Sequence, residues 1–299
     1  MTFAGVPLGI LGVMVAASAF ASMPFRQLSE RLREAGILVV RNFEGKTLPV
    51  AGVLPAIAWS VSLAVGAMFL AVFHIASPAI TQALVACIAA LCLAAIAGFV
   101  DDVCPVSEKG FRGHLMALVR GRITPGFVKL AVVGIGSALV AAYSGRGQFE
   151  FAVDTVTIAL TANAINLLDL RPGRAVKVVL AGEGVVLTLA CIVSAHVGSA
   201  ASVLLGASGL IPFGVFLGLD LRKKAILGDS GANPAGVGLG AGFAFALSGN
   251  IYAKLALLAL VFGINLFAET GSITKVIDDN RILKALDELG VARNNTEDA

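Results

Sequence analysis

Long stretches of this chain carry no charged side chain, and this feature limits its possible folds most strongly. Residues 48–74 and 78–100 are two examples, and each exceeds the about 20 apolar residues that a helix needs to cross a bilayer. Hydrophobic residues make up 58% of the 299 positions and charged residues only 14%. That balance is too apolar for a soluble fold of this size. The sequence therefore predicts an all-α, polytopic transmembrane helical bundle.

Hydropathy indicates about 9 to 10 spans. Nine of them are placed at residues 4–23, 49–74, 78–100, 127–144, 151–168, 177–196, 200–219, 234–249 and 251–268. With the N-terminus outside, all but Arg146 and Lys254 of the 22 Lys and Arg residues lie on the inner side. An excess of basic residues marks the cytoplasmic side of a membrane protein. We therefore expect the polar loops to be cytoplasmic.

The segment after the last span is more polar than the rest of the chain. It places Val276, Leu283, Leu286 and Leu289 on one helical stripe, a pattern typical of an amphipathic helix on a membrane surface. The chain therefore divides into a transmembrane domain, 1–268, and a cytoplasmic amphipathic tail, 269–299. A solvated helix without a catalytic role and a helix that contacts substrate both remain open for this tail.

Two adjacent carboxylates, Asp101 and Asp102, occur in the sequence GFVDDV where the third span meets the inner surface. Like charges repel strongly near an apolar boundary, so a divalent cation, a lysine or a shared proton must compensate them. Magnesium is the compensating cation typical of a phosphate-handling site. The alternative is an interfacial pair that ends a helix in water.

A second polar group, in the sequence TANAINLLDL, places Asn163, Asn166 and Asp169 at a spacing of three at the inner end of the fifth span. Two amides and a carboxylate on neighbouring helical positions offer donors and acceptors that suit a nucleobase or a ribose. Interhelical hydrogen bonding inside the membrane is the alternative, for which asparagine is also suited.

A third group, AILGDSGANPAG, holds Asp229 among small residues at the start of the eighth span. Glycines let backbone N–H groups approach an anion, and a helix start favours negative charge. An aspartate there is placed to hold a metal that bridges phosphates, while a simple N-cap is the alternative. Among the basic residues nearby, Lys46 and Lys129 are the ones we expect to contact diphosphate or an anionic lipid head.

These three groups, in this order and on one face, resemble the polyprenyl-phosphate N-acetylhexosamine-1-phosphate transferases, the family of the MraY and WecA enzymes. The resemblance covers roughly residues 40–268. GFVDDV is similar to the family's Asp-Asp motif, NAINLLD to its nucleotide-binding motif and LGDSGANPAG to its Gly-Asp motif. NFEGKTLPVAG is similar to the early cytoplasmic loop.

The resemblance implies a Mg²⁺-dependent transferase in the bacterial cytoplasmic membrane. It would move a sugar-1-phosphate, of the N-acetylhexosamine type, from a UDP-sugar to an undecaprenyl-type polyprenyl phosphate and release UMP in cell-envelope glycan assembly. By position, Asp101, Asp102 and Asp229 would be catalytic, with Asp102 and Asp229 at the metal. The substrate contacts would be Lys46, Lys129, Asn163, Asn166 and Asp169. A homodimer is a further expectation from the family.

The chain departs from the family pattern in two places. DLRPG, residues 169–173, has Pro172 where the family carries a second acid, and the histidine motif of the last cytoplasmic loop is missing from ETGSITKVIDDNR. The chain therefore resembles a divergent member. Two other classes of function are weighed against the transferase: a non-catalytic paralogue that binds nucleotide or lipid as a regulator or scaffold, and a transporter. A transporter places ionisable residues along a path near the bilayer midplane, and only Glu183 approaches that position.

Overall fold

The computed structural model describes residues 2–3, 6–35, 40–42, 45–47, 49–104, 110–145, 147–192 and 197–292. Within these ranges the protein is an all-α bundle with two short antiparallel hairpins near its N-terminus. The strands are β1 Thr2–Phe3, β2 Val6–Pro7, β3 Val40–Asn42 and β4 Gly45–Thr47, and a 3₁₀ turn covers Pro49–Gly52. The helices are α1 Leu8–Ser22, α2 Phe25–Glu34, α3 Val53–Val72, α4 Pro78–Val103, α5 Gly110–Val119, α6 Pro125–Ser144, α7 Gln148–Leu168, α8 Arg174–Ile192, α9 Val197–Asp220, α10 Gly228–Ala246, α11 Ile251–Thr270, α12 Ile273–Asp279 and α13 Arg281–Glu288.

In the described part of the chain, eight segments are long and apolar enough to cross a membrane. They are Leu8–Leu32, Val53–Val72, Pro78–Val103, Pro125–Ser144, Gln148–Leu168, Arg174–Ile192, Ser199–Asp220 and Ile251–Thr270. The polytopic helical bundle expected from the sequence is confirmed at this level. The span predicted at 234–249 is not among the eight. Its helix, α10, is 19 residues long, but glycines, Asn233 and Pro234 make it less apolar than its neighbours.

Helix α10 lies at the centre of the bundle and packs against α3, α4, α6, α7, α8 and α9. Its glycines permit this. A Cβ atom at Gly236 or Gly240 would overlap the backbone of α7, and one at Gly238 would overlap the ring of Trp59. Helices associate closely in membranes where small residues let backbones approach. The small residues that make α10 less apolar than the eight spans thus also allow other helices to pack around it.

The starts of several helices follow from local sequence. Pro78 and Pro125 occupy the first turns of α4 and α6, where a proline needs no N–H partner. The Thr124 side chain caps α6 by accepting a hydrogen bond from the Phe127 N–H at 3.2 Å, and Asn250 caps α11 through the Ala253 N–H at 3.1 Å.

Helix α11 is peripheral and is attached to α7 by polar contacts. Of its residues only Lys254 and Val261 are buried. The Lys254 Nζ donates to Asp154 at 2.7 Å and to Glu150 at 3.2 Å, near the start of α7. Towards the other end of α7, the Asn163 amide donates to the side chain of Asn265. Polar pairs of this kind hold helices together where lipid provides no hydrophobic driving force.

The tail predicted at 269–299 forms α12 and α13 over residues 273–288, and residues 293–299 lie outside the described chain. It is anchored to the bundle rather than free. The Ala292 N–H donates to the Leu221 carbonyl at 2.9 Å, just after α9. Several of its apolar side chains remain exposed, among them Ile282, Leu286 and Leu289. The single helix that the sequence suggested for this tail is divided at Asn280, which ends α12 and caps α13. The apolar stripe of Val276, Leu283, Leu286 and Leu289 is exposed.

Candidate functional site

Lys129, near the start of α6, joins two of the aspartates that the sequence singled out. Its Nζ donates to Asp101 Oδ2 at 2.6 Å and to Asp229 Oδ2 at 2.7 Å. All three side chains are largely buried, with 18% of each exposed. The charge that the Asp101–Asp102 pair needs at the membrane boundary is therefore supplied in part by a lysine.

Asp102 is compensated differently, by the start of α10. Its Oδ1 accepts the Asp229 N–H at 3.0 Å and its Oδ2 accepts the Ser230 N–H at 2.9 Å. A carboxylate in this position satisfies two unpaired donors of the helix and meets the positive end of its dipole. The two adjacent aspartates thus point to different partners, which reduces their mutual repulsion.

Asp169 ends α7 and reaches the same helix start, where its Oδ2 accepts the Gly228 N–H at 2.7 Å. Its Oδ1 is buried and has no hydrogen-bond partner among the described residues. Burial, which has the largest effect, and the charges of Asp220, Asp229 and Asp102 together raise the pKa of Asp169 to about 8, although the Gly228 hydrogen bond acts to lower it. At neutral pH its carboxyl group is therefore mostly protonated.

Asp220, at the end of α9, is a member of this acidic cluster that the sequence analysis missed. It is 1% exposed, its Oδ2 lacks a partner within the described chain, and the Gly173 backbone hydrogen bonds its carboxylate. It could have been found by its position, because it ends an apolar span on the inner side as Asp101 and Asp169 do. The acidic cluster is defined here as Asp101, Asp102, Asp169, Asp220 and Asp229, with Lys129 among them.

Two glycines outside α10 set how closely its first turn is held. A Cβ atom at Gly98 on α4 would overlap the Asp229 carbonyl group, and one at Gly52 would overlap the Leu227 carbonyl group. Position 231 in α10 also requires a glycine, because a Cβ atom on Gly231 would lie 2.7 Å from the Gly52 Cα. Close backbone approach at these points brings Asp102 within reach of the α10 N–H groups.

The backbone N–H groups at this helix start were expected to approach an anion, and the acidic side chains that they contact belong to the protein. The Gly228 N–H donates to Asp169, and the N–H groups of Asp229 and Ser230 donate to Asp102. A buried helix end needs partners for these donors, and the protein provides its own. A phosphate at this site would have to be bound by other groups.

The remaining predicted contacts are not all brought together. Asn163 is exposed and pairs with Asn265 on α11, which favours the interhelical alternative for this residue. Asn166 lies half-buried on α7, one turn before Asp169. Lys46 lies in β4, opposite Arg41, and its side chain is outside the described part of the structure.

The carboxylates of the acidic cluster are candidate ligands for Mg²⁺. No three His, Cys, Asp or Glu side chains of the described residues are grouped so as to hold a metal by themselves. Asp101 and Asp229 nevertheless converge on one cationic atom, Lys129 Nζ, within 2.7 Å. Since Mg²⁺ in phosphate sites uses one or two carboxylates and takes its other ligands from phosphate and water, these residues fit such an ion, although they do not form a closed cage.

Basic residues after Asp169 bind the tail. Arg171 forms two hydrogen bonds with Asp278, at 2.7 and 2.8 Å. Arg174 forms two with Asp287, at 2.6 and 2.8 Å, and both of these side chains are 4% exposed. Lys177 donates to the carbonyl of Asp287 at 2.7 Å. These cations therefore hold the tail across the loop that follows Asp169.

No protein-family model matches the chain, and no curated protein matches it. The fold and the site therefore define its class by themselves. It is a multi-pass helical membrane protein whose helix ends gather five aspartates and a lysine at one end of the bundle.

Proposed function

We propose that the protein is a membrane transferase that moves a sugar-1-phosphate, of the N-acetylhexosamine type, from a UDP-sugar to a polyprenyl phosphate and releases UMP. One observation carries the proposal. The three sequence groups that resemble the family's motifs are far apart in the chain, yet Asp102, Asp169 and Asp229 meet within hydrogen-bonding distance of one helix start. A purely structural role for each group does not require them to meet.

In the proposed reaction an oxygen of the lipid phosphate attacks the β-phosphorus of the UDP-sugar. A new P–O bond forms there, the bond from that phosphorus to the bridging oxygen breaks, and UMP leaves with the electron pair. Such a transfer depends on positioning and on neutralising phosphate charge. Lys129 would contribute a positive charge at the reacting phosphates, and Asp102 would fix the helix that carries Asp229.

Even with Asp169 protonated, the other four aspartates of the acidic cluster outnumber its single lysine, and they repel phosphate unless positive charge is added. A bound Mg²⁺, held by Asp229 and its neighbouring aspartates, would supply that charge and polarise the phosphate oxygens. Asp169 has a separate role in this proposal. Because it is mostly protonated at neutral pH, its unpaired Oδ1 is suited to exchange hydrogen bonds with uracil or ribose, with Asn166 one turn away.

The test is release of UMP by purified protein supplied with undecaprenyl phosphate, Mg²⁺ and a panel of UDP-N-acetylhexosamines. The Asp101→Asn, Asp229→Asn double variant removes both carboxylates that Lys129 joins, and we expect turnover to fall by about 10²–10³. Asp279→Asn, which alters an exposed aspartate of the tail, is the matched control and should keep full activity. Undiminished turnover by the double variant would refute the assigned roles.

Nucleotide binding without UMP release across the whole panel would instead favour a non-catalytic paralogue.

The location follows the same proposal: the acidic cluster would lie at the cytoplasmic face of a bacterial plasma membrane. Reporter fusions at residues 147 and 292, on opposite sides of the predicted topology, test that orientation.

A further inference from the structure

Helix α13 leaves one apolar face uncovered within the described part of the chain. This exposed face is defined here by four side chains: Ile282, Leu283, Leu286 and Leu289. They are 73%, 41%, 55% and 65% exposed. Apolar side chains that are grouped and exposed in this way mark a surface that contacts another molecule or a membrane.

The tail follows the ends of the membrane-spanning helices. Its first helix, α12, begins three residues after Thr270, the last residue of the span formed by α11. Arg171 and Arg174, which hold the tail by ion pairs, lie where the span of α7 ends and the span of α8 begins. The third attachment is the carbonyl of Leu221, directly after the span of α9. The tail therefore runs in the plane where these four spans end, at the boundary of the apolar region.

The faces of α13 have different surroundings. Successive residues are about 100° apart around a helix, so Asp287, on the face that binds the bundle, lies about 100° from Leu286. Lys284, which forms an exposed pair with Glu288, lies about 160° from Leu286. The docked face thus stands between an apolar face and a charged face. A helix attached by its side at the membrane boundary, with apolar and charged faces in opposite directions, has the orientation of a helix that lies in the interface.

The charges of the tail are nearly balanced once its ion pairs are counted. Asp278 and Asp287 are paired with arginines of the bundle. The exposed charges that remain in α12 and α13 are three cations and two acids: Lys275, Arg281, Lys284, Asp279 and Glu288. A surplus of one cation gives only weak attraction to anionic lipid. Apolar contact is therefore the main source of affinity for a bilayer.

We propose that the exposed face of α13 inserts into the surface of the lipid bilayer, in the leaflet nearest to the acidic cluster. The inference goes beyond the transferase reaction and does not depend on it, because it rests on the tail and on the ends of the spans alone. The bundle positions the tail through ion pairs, and lipid holds its apolar face. Neutral phosphatidylcholine is a sufficient partner, since the affinity comes from buried apolar area.

Site-directed fluorescence compares two faces of α13 in phosphatidylcholine nanodiscs. The background variant replaces the three exposed cysteines with serine: Cys92→Ser, Cys104→Ser and Cys191→Ser. Cys87 remains and is buried. A bimane fluorophore is then attached through Leu286→Cys on the exposed face or, as the matched control, through Lys284→Cys on the charged face. Both positions are exposed, so neither label disturbs the packing of the bundle.

The two labels should respond to opposite quenchers. A lipid nitroxide near the headgroups should quench the label at position 286 about fivefold more strongly than the label at position 284, and soluble iodide should show the reverse preference. A nitroxide at the end of the lipid chain should quench the label at position 286 less, because an interfacial helix lies only about 5–10 Å deep. Adding phosphatidylglycerol should change these values less than about twofold.

A second measurement shows whether lipid contact also helps to hold the tail. In nanodiscs, Ile282→Ser, Leu286→Ser should reduce the protection of the α12 and α13 amides from hydrogen exchange about tenfold, because two apolar side chains leave the lipid. Lys284→Ser, Glu288→Ser introduces the same number of serines on the charged face. It should alter this protection less than about twofold, since an exposed ion pair adds little stability.

Four results would overturn the proposal. Equal quenching of the two labels by iodide would leave the exposed face of α13 in water. A label at position 286 that is shielded from iodide and from both nitroxides would mean that protein covers this face, and a disulfide between two unlabelled Leu286→Cys chains would identify a second copy. Quenching that requires phosphatidylglycerol would contradict the apolar origin of the contact. Unchanged exchange protection in Ile282→Ser, Leu286→Ser would show that lipid does not hold the tail.

Discussion

Replacing Arg174 with methionine should detach the tail from the bundle. The guanidinium group makes two hydrogen bonds with Asp287 at 2.6 and 2.8 Å and a third with Thr274 at 3.0 Å. Removing one partner of a buried ion pair destabilises a structure by about 3–5 kcal/mol, because the other charge stays buried. Arg171, with its Nη1 3.5 Å from Asp287, keeps some compensation. We therefore expect a loss of about 3 kcal/mol, which shifts the docking equilibrium by about 150-fold.

Hydrogen exchange measured by mass spectrometry tests this prediction, because amides of α12 and α13 exchange when the tail opens. Their protection should fall by about two orders of magnitude in Arg174→Met. The double variant Arg174→Met, Asp287→Leu should recover most of it, since replacing both buried charges by apolar groups is often nearly neutral. Lys284→Met is the control, because Lys284 and Glu288 form an exposed pair at 3.9 Å of little stabilising value.

The result that would refute the reasoning is a change of less than about threefold in tail exchange for Arg174→Met. It would mean that the ion pair does not hold the tail. An equal loss in the single and double variants would instead show that Arg174 acts through packing and not through its pairing with Asp287.

Three further predictions concern the core and the effect of pH. Gly236→Val should lower the midpoint of thermal unfolding, followed by fluorescence of the only tryptophan, Trp59, because the new side chain meets the Thr161 carbonyl 2.7 Å from its Cβ. Overpacking of this kind costs about 1–3 kcal/mol. Gly263→Val, with open space around it, should be nearly neutral. Equal unfolding midpoints for the two variants would contradict the close packing at Gly236. The raised pKa of Asp169, about 8, means that its contribution to stability is present below the unfolded value and lost as pH rises towards and through 8. Asp169→Asn should therefore lose less stability than wild type between about pH 4 and 8, and parallel curves would count against the shifted pKa. The Arg171 hydrogen bond lowers the pKa of Asp278. Protection of the tail amides from hydrogen exchange, corrected for intrinsic exchange, should therefore fall only as pH drops below the ordinary aspartate pKa of about 3.9. Loss of protection already near pH 6 would argue against this pair.

The fold class could be predicted from the sequence because it depends on average hydropathy over long windows. The span at 234–249 shows the limit of that approach. Helix α10 lies among six other helices and needs small residues for close packing, so a hydropathy window records it as a weak span. Its neighbours, and not its own apolarity, determine its place.

The acidic cluster was partly predictable for a related reason. Asp101, Asp169 and Asp229 each stand at the end of an apolar stretch, so topology alone brings them to one end of the bundle. The choice of partners was not predictable: that Lys129 bridges Asp101 and Asp229, while Asp102 binds the α10 backbone, follows from tertiary contacts. The pairing of Asn163 with Asn265, 102 residues further along the chain, was hidden from the sequence in the same way.

The glycines of α10 have a consequence for attempts to stabilise this protein by engineering. Replacing glycine with alanine inside a helix is a common way to raise stability, and α10 offers many such positions. Here a methyl group at Gly236 or Gly240 would push α10 away from α7, and one at Gly238 would push it away from Trp59 of α3. The displacement would be passed along a helix about 28 Å long to Asp229. A variant selected only for its stability would then carry a changed distance between Asp229 and Lys129. Stability screens on α10 should therefore be read together with a measurement at the acidic cluster.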